Sequence, residues 1–515
     1  MLRPLAHGNW WYNGGHQDVA FPRFTEELTV MESQRRLTAA VTIGWSLALA
    51  ATAGVAAPRG SVAGQAAPTP EVTFAKDIAP ILQRSCETCH RVDGGAPMPL
   101  TTYEEARPWA RAIKQRTGIG PKAGVMPPWY VEKNIGIQHF KNDPSLSALE
   151  IAAVAAWADA GAPRGNPADL PPARIWSEAT KWSIGEPDLI VNTADLVVKA
   201  GAPDWWGEIP RVSTGLTEDR YVAALEVKEV NDMPTAGSGR DTVGGRYVFH
   251  HMIWSTRTLG QEGSSNPADG TSWPVHEVGR EADFFDAKSA RLLEAGSSIV
   301  SDSVHLHSNG RDTKAHLQIA FKFMPRGYQP DYRRSRVSLG NGVDIDIKSM
   351  EAGQQLHAYA VLKENTKLLS FEPHLHAPGE RMCLEAIWGY TIQTLSCVGY
   401  DHNWVRGYDF ADDAAPLLPK DTILHIVGYM NNTPGNKNIP DPRNWQGSGN
   451  RSVANMFIDL GNRVSLTDEQ FAAEMADRRE QLKLTRNSVV IGCPLCNVPP
   501  EPAVPTPGGT PRPQQ

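Results

Sequence analysis

The run "YVFHHMIW" occupies residues 247–254. Its apolar and aromatic residues read as a strand, and successive strand residues point to opposite faces of a sheet. One of His250 and His251 must then face a core, where an imidazole needs a partner. Runs of the same texture recur between about 185 and 465: "RYVAALEV", "HLQIAFKFM", "HAYAVL", "ERMCLEAIWGYTIQTLSC" and "TILHIVGYM". Gly, Pro, Asn and Asp turns separate them, which is the pattern of antiparallel β-sandwiches. The span is long enough for two.

The whole chain has 515 residues, too many for one domain, and its 41% hydrophobic and 21% charged content is that of a folded protein. A net charge of -7 offers no footprint for nucleic acid. The six cysteines fall in three close pairs, Cys86/Cys89, Cys383/Cys397 and Cys493/Cys496. Short-range pairing suits an oxidising compartment or cofactor attachment. Met31 opens "MESQRRLTAAVTIGWSLALAATAGVAA", a basic region followed by an apolar one, with small residues to Ala66. This reads as a secretory signal over about 31–66, with residues 1–30 an over-extended start and a linker to about 70. The expected location is periplasmic or secreted, with a membrane involved only if the signal stays uncleaved.

Residues 71–170 read as helical. "FAKDIAPILQRSC", "TTYEEARPWARAIKQRT" and "SLSALEIAAVAAWADAG" carry helical spacing, the last stopped by Gly161. "CETCH" at 86–90 follows the first helix and matches a c-type haem attachment motif. Cys86 and Cys89 would form thioethers to one covalent haem c, and His90 would ligate the iron. Met126 in "VMPPWY" is the favoured sixth ligand and Met98 its competitor, since Met/His ligation suits electron transfer. The helix–CxxCH–loop–Met–helix order resembles a class I cytochrome c.

Histidines form doublets in the predicted sandwiches: His250/His251, His305/His307 in "VHLHSNG", and His374/His376 in "EPHLHAPGERM". Residues i and i+2 of a strand share a face, so each HxH presents two imidazoles to one point. Imidazole suits copper, zinc, iron or nickel.

"HHM", a later "VH", then "HLH" and a downstream Met resemble the copper type II, ascorbate-dependent monooxygenases. That family includes peptidylglycine hydroxylating monooxygenase and dopamine β-monooxygenase. "TGLTEDRYV", "PHLH" and "YDHNWVRGYDF" extend the resemblance over 185–465. The fusion to a cytochrome c resembles a bacterial branch, and together the likenesses cover about three quarters of the chain. The implied fold is multidomain: an all-α cytochrome c domain, then two all-β jelly-roll sandwich domains at 185–335 and 336–465. A helix and a Pro/Gly-rich tail follow at 466–515.

The resemblance implies two copper ions separated by a solvent-filled cleft. His250, His251 and His305 would hold one. His374, His376 and a Met would hold the other, where O₂ is activated. Met456 is favoured, with Met430 and Met382 as rivals, and His307 would support a ligand or be structural. The HH pair would reach one copper through a twist or bulge. The peptide-amidating branch holds a substrate carboxylate with an Arg, an Asn and a Tyr at positions that are Glu372, Ile458 and Leu460 here, so such a substrate is not expected. Ala454 and Asn455 replace the acidic residues usual before the ligand Met.

The expected activity is hydroxylation of a C–H bond of a small organic substrate by O₂. The haem would relay electrons from a periplasmic donor or an ascorbate-like reductant. A copper-binding electron-transfer protein, or a binding module without oxygenase activity, would use the same ligands. A zinc site is disfavoured by the thioether. Cys383 and Cys397 are expected to form a cross-strand disulfide if the hairpin turns near Gly389–Tyr390. Cys493 and Cys496 are expected to close a small loop.

Overall fold

The computed structural model describes residues 71–496 apart from 93–95, 97, 176–181, 234–245, 261–269, 279, 281, 336, 343, 450–453 and 486–487. The segment expected to be a secretory signal, the residues before it and most of the Pro/Gly tail lie outside these. Among the described residues no helix is long and apolar enough to cross a membrane. Strands dominate and helices are few, as β-sandwich domains require.

The first sandwich has two six-stranded antiparallel sheets. One is built on Arg220–Asn231 and Thr313–Phe323, the other on Phe249–Arg257 and Ser298–Leu306. Alternation makes the core: Leu317, Ile319 and Phe321 face inward from one sheet and are fully buried. Met252, Trp254, Ile299 and Val304 meet them from the other. Trp254 stacks on Trp273, and both rings pack against Phe321. Burial of one such aromatic is worth about 1.5–3 kcal/mol, so this layer fixes the register of the strand that carries the histidine pair.

The second sandwich sets the sheet Gln354–Val361, Ile423–Met430, Gly379–Trp388 and Thr391–Gly399 over smaller sheets. One of these joins Leu339–Asn341, Phe457–Asp459 and Pro373–Leu375. Leu375, Met382, Leu384, Ile426, Met430 and Phe457 fill the space between. The predicted hairpin turns at Gly389–Tyr390, and Gly389 has φ +58, the left-handed value that a two-residue turn can demand. Cys383 lies opposite Cys397 in that hairpin and the two are disulfide-bonded. Cys493 and Cys496 are also bonded. The helix Asp468–Gln481 starts in the expected capping box of Thr467 and Gln470. Its Glu474 receives Lys367 and Lys288, each at 2.7 Å, and so ties the two sandwiches together.

Before the sandwiches, the helical segments Phe74–Ile78, Ala79–Ser85, Tyr103–Ala106, Ala110–Thr117 and Ala148–Asp159 pack around Trp157, Ile78 and Leu82. Ser147 and Glu150 form a capping box at the last of them. The stretch between Gly118 and Lys141 departs from the helical packing that the sequence suggests. It lies along the second sandwich as a strap. Val125, Trp129, Tyr130, Val131, Ile137 and Phe140 enter that sandwich's core. Gly399 donates to Tyr130 O, Glu132 to Cys397 O and Ile137 to Leu395 O. Burying these six apolar side chains in the sandwich core favours that path.

The strap comes very close to the hairpin. A Cβ at position 399 would lie 2.0 Å from the Pro121 carbonyl oxygen, so only glycine fits. Gly399→Ala is therefore expected to lift the strap and destabilise the chain by about 1–3 kcal/mol. Limited proteolysis should show faster cleavage between residues 118 and 141. A variant as resistant as the parent would contradict this docking.

Candidate metal centre

The histidine pair sits at a register change. His305 pairs with His251 and Leu306 with Phe249, which leaves His250 as the extra residue of a β-bulge. A bulge re-aims the side chain it carries. Both imidazoles are consequently buried on one side, 3.3 Å apart at their Nδ1 atoms. The bulge expected from the sequence is present.

His305 stands across from Trp206, whose ring packs on both His251 and His305. His250, His251 and His305 can each offer one ring nitrogen within 4.8 Å of the others. His307, two residues on, brings Nε2 to 3.1 Å from His305 Nε2. Asp204 faces both of these rings. His307 is thus part of the cluster.

His374 and His376 approach from the second sandwich. His374 pairs with Ile458, and Leu375 with Phe457. Past the end of that pairing, His376 Nδ1 lies 2.9 Å from Ala454 O, two residues before Met456. Directly opposed residues share a face. Leu375 and Phe457 turn into the core, so His374 and Ile458 belong to the other face, and Met456 directly precedes this strand. Met382 and Met430, the rival thioethers, are fully buried among apolar side chains of that core.

The two sets lie closer than the resemblance implies. The rings of His374 and His376 are 6.1 and 6.5 Å from that of His251, so the expected cleft is closed here. Polar contacts across the sandwiches hold it closed. Glu277 of the first sandwich accepts from His374 Nδ1 at 2.7 Å, and Arg280 pairs with Glu372 and Asp283. Glu372 is occupied by that arginine, and Arg280 is itself engaged by Glu372 and Asp283.

His402, a lone histidine in a loop, stands outside the doublets that strand spacing singles out. It is buried and lies 4.8 Å from His250 and 6.2 Å from His376, ring to ring. Its only signal was the quoted run "YDHNWVRGYDF", in which it belongs to no doublet.

The cluster suits a metal. His250 Nε2, His251 Nε2, His305 Nδ1 and His402 Nδ1 are buried with no hydrogen-bond partner. Such atoms are costly unless something binds them. Burial first, then neighbouring imidazoles, holds His250, His251 and His402 well below the ordinary histidine range. Neutral imidazole is the form that binds metal. His374 differs: burial would lower it, but the Glu277 carboxylate outweighs burial and raises it. That carboxylate orients the ring through Nδ1 and leaves Nε2 for a metal, the usual outer support of a ligand histidine.

"CETCH" forms the turn after helix Ala79–Ser85, where Cys89 N–H and His90 N–H both donate to Cys86 O. Cys86 and Cys89 keep their thiols, each half-buried. Burial pushes the Cys86 thiol up to about 12. His90 Nδ1 is 3.0 Å from Met98 O, which leaves Nε2 available. These groups fit covalent haem attachment. Met98 and Cys86 each pack against the helical core. Met126 lies on the strap and is 36% exposed.

No protein-family model and no curated relative matches the chain. Among solved structures it is similar to the naturally occurring empty particle (top component) of cowpea mosaic virus, at 7% identity and a TM-score of 0.28. That likeness covers 55% of this chain and 92% of the viral one. A likeness so distant carries no argument about fold or function.

Glu277→Gln removes the charge that orients His374 while keeping its shape. Metal binding at the His374 position should weaken by about 10–100-fold, measured by competition with a chromophoric chelator. Unchanged affinity would remove Glu277 from the metal centre.

Proposed function

We propose that the chain is an exported, copper-dependent monooxygenase made of two jelly-roll domains and an N-terminal all-α cytochrome c domain. The supporting observation is the convergence of histidines from both sandwiches on one buried place, with four ring nitrogens lacking any partner. His250, His251 and His305 would hold one copper, and His374, His376 and Met456 the other. Bound copper would supply O₂ reduction, inserting one oxygen atom into a substrate C–H bond while the other leaves as water. Met456 gives the second position a soft donor, which favours Cu(I). Glu277 fixes the His374 tautomer.

Cys86, Cys89 and His90 would carry a haem c, a one-electron carrier. The strap keeps that module against the second sandwich, and tethering raises the effective concentration of donor at acceptor. The two electrons per turnover would come from a periplasmic donor or an ascorbate-like reductant. The substrate is a small organic molecule that does not need a carboxylate clamp, since Glu372 and Arg280 satisfy each other.

A second reading, a copper electron-transfer protein without oxygenase activity, is favoured by the 6.1 Å approach of His374 to His251. Oxygen discriminates the two. The copper-loaded, reduced chain would be given a panel of small organic molecules under ¹⁸O₂. The monooxygenase reading expects one compound to raise O₂ uptake and gain a single ¹⁸O atom, both lost in His374→Ala. Reversible copper reduction with O₂ uptake indifferent to every compound would favour electron transfer instead.

A further inference from the structure

We infer that His402 is itself a metal ligand, supplied by the second sandwich to the position held by His250, His251 and His305 of the first. This rests on the reading of the cluster as a metal centre, and it adds a donor that neither histidine set contains. Three observations carry it.

The first is the unpaired nitrogen. His402 is 7% exposed and its Nδ1 has no hydrogen-bond partner. A structural histidine in a core ordinarily spends both nitrogens on hydrogen bonds or water. This one faces other imidazoles, with His250 nearest at 4.8 Å between ring centroids.

The second is position. His402 has a ring of each set beside it, His250 at 4.8 Å and His376 at 6.2 Å, so it stands next to both. A fourth imidazole there would convert three donors from one sandwich into a site that spans both.

The third is preorganisation. Asp401 Oδ1 accepts from Asn403 N–H, and Asp401 O accepts from Trp404 N–H. These bonds close a turn on both sides of His402, in the manner of an Asx-turn. The other carboxylate oxygen, Asp401 Oδ2, accepts Gly124 N–H of the strap at 3.0 Å. The loop is therefore pinned before any metal arrives. The bond to Gly124 also sets His402 one residue from the contact that ties the second sandwich to the Met126 loop. A lone loop histidine needs such a frame to act as a ligand, because ordering it on binding would cost affinity.

The test compares the full chain with His402→Ala and His402→Gln. The second variant keeps a polar side chain of similar reach in case alanine fails to fold. Copper(II) is titrated against a chromophoric chelator, and the copper EPR spectrum is recorded for each protein. The expected result is two copper positions in the parent. Both variants should weaken one of them by about 100-fold or more and lose nitrogen superhyperfine structure, since removing a ligand costs more than removing its support. The other position should be unchanged. A parent that binds copper and variants with the same affinities and spectra would overturn the His402 assignment while leaving the metal centre standing. A parent that binds no copper would overturn both.

Discussion

The burial of Glu277 against His374 is the contact on which the rest of the site depends. It reaches from one sandwich to the other and buries a carboxylate together with an imidazole. Breaking such a pair by removing one partner typically costs 3–5 kcal/mol, roughly, because the remaining charge stays buried. Arg280 with Glu372, and Glu474 with Lys288, make parallel links across the same junction. These contacts set the separation of the sandwiches, and that separation decides how near His374 and His376 come to His251. The closeness of the two histidine sets follows from the interface, since neither sheet alone would bring them together.

Position on the chain matters as much as chemistry. The strap between Gly118 and Lys141 leaves the helical segments, enters the core of the second sandwich and bonds to the loop that carries His402. One stretch of backbone thus joins the Met126 loop, the Cys383–Cys397 hairpin and the histidine cluster. Gly136 and Gly399 permit it, since a Cβ at either position would meet backbone of the facing segment within about 2.3 Å. A flexible linker of similar length would leave the two modules to diffuse relative to one another.

Much of this was legible in the sequence, for physical reasons. Alternation and turn residues gave the strands because one face of each sheet is buried. The disulfide at Cys383 and Cys397 followed from hairpin register, and the bulge at His250 from the need to bring two adjacent imidazoles to one side. Met456 came only from the likeness of its Gly-rich segment to that of the copper monooxygenases, because spacing alone does not choose among three methionines. His402 and Glu277 escaped notice because their roles arise between sandwiches, where sequence spacing carries no information. The strap escaped notice for the same reason: its apolar residues suit a helical core as well as a sheet core, and only packing decides.

The most direct test of the proposed metal centre, built by both sandwiches beside a proposed haem module, is the copper-to-haem ratio. Elemental analysis would be made on protein matured in a periplasm and reconstituted with copper. The account predicts about two coppers per haem, by the two histidine sets that oxygen-reactive copper would need. A ratio near zero, or zinc bound in place of copper, would contradict it and leave a cytochrome joined to a binding module.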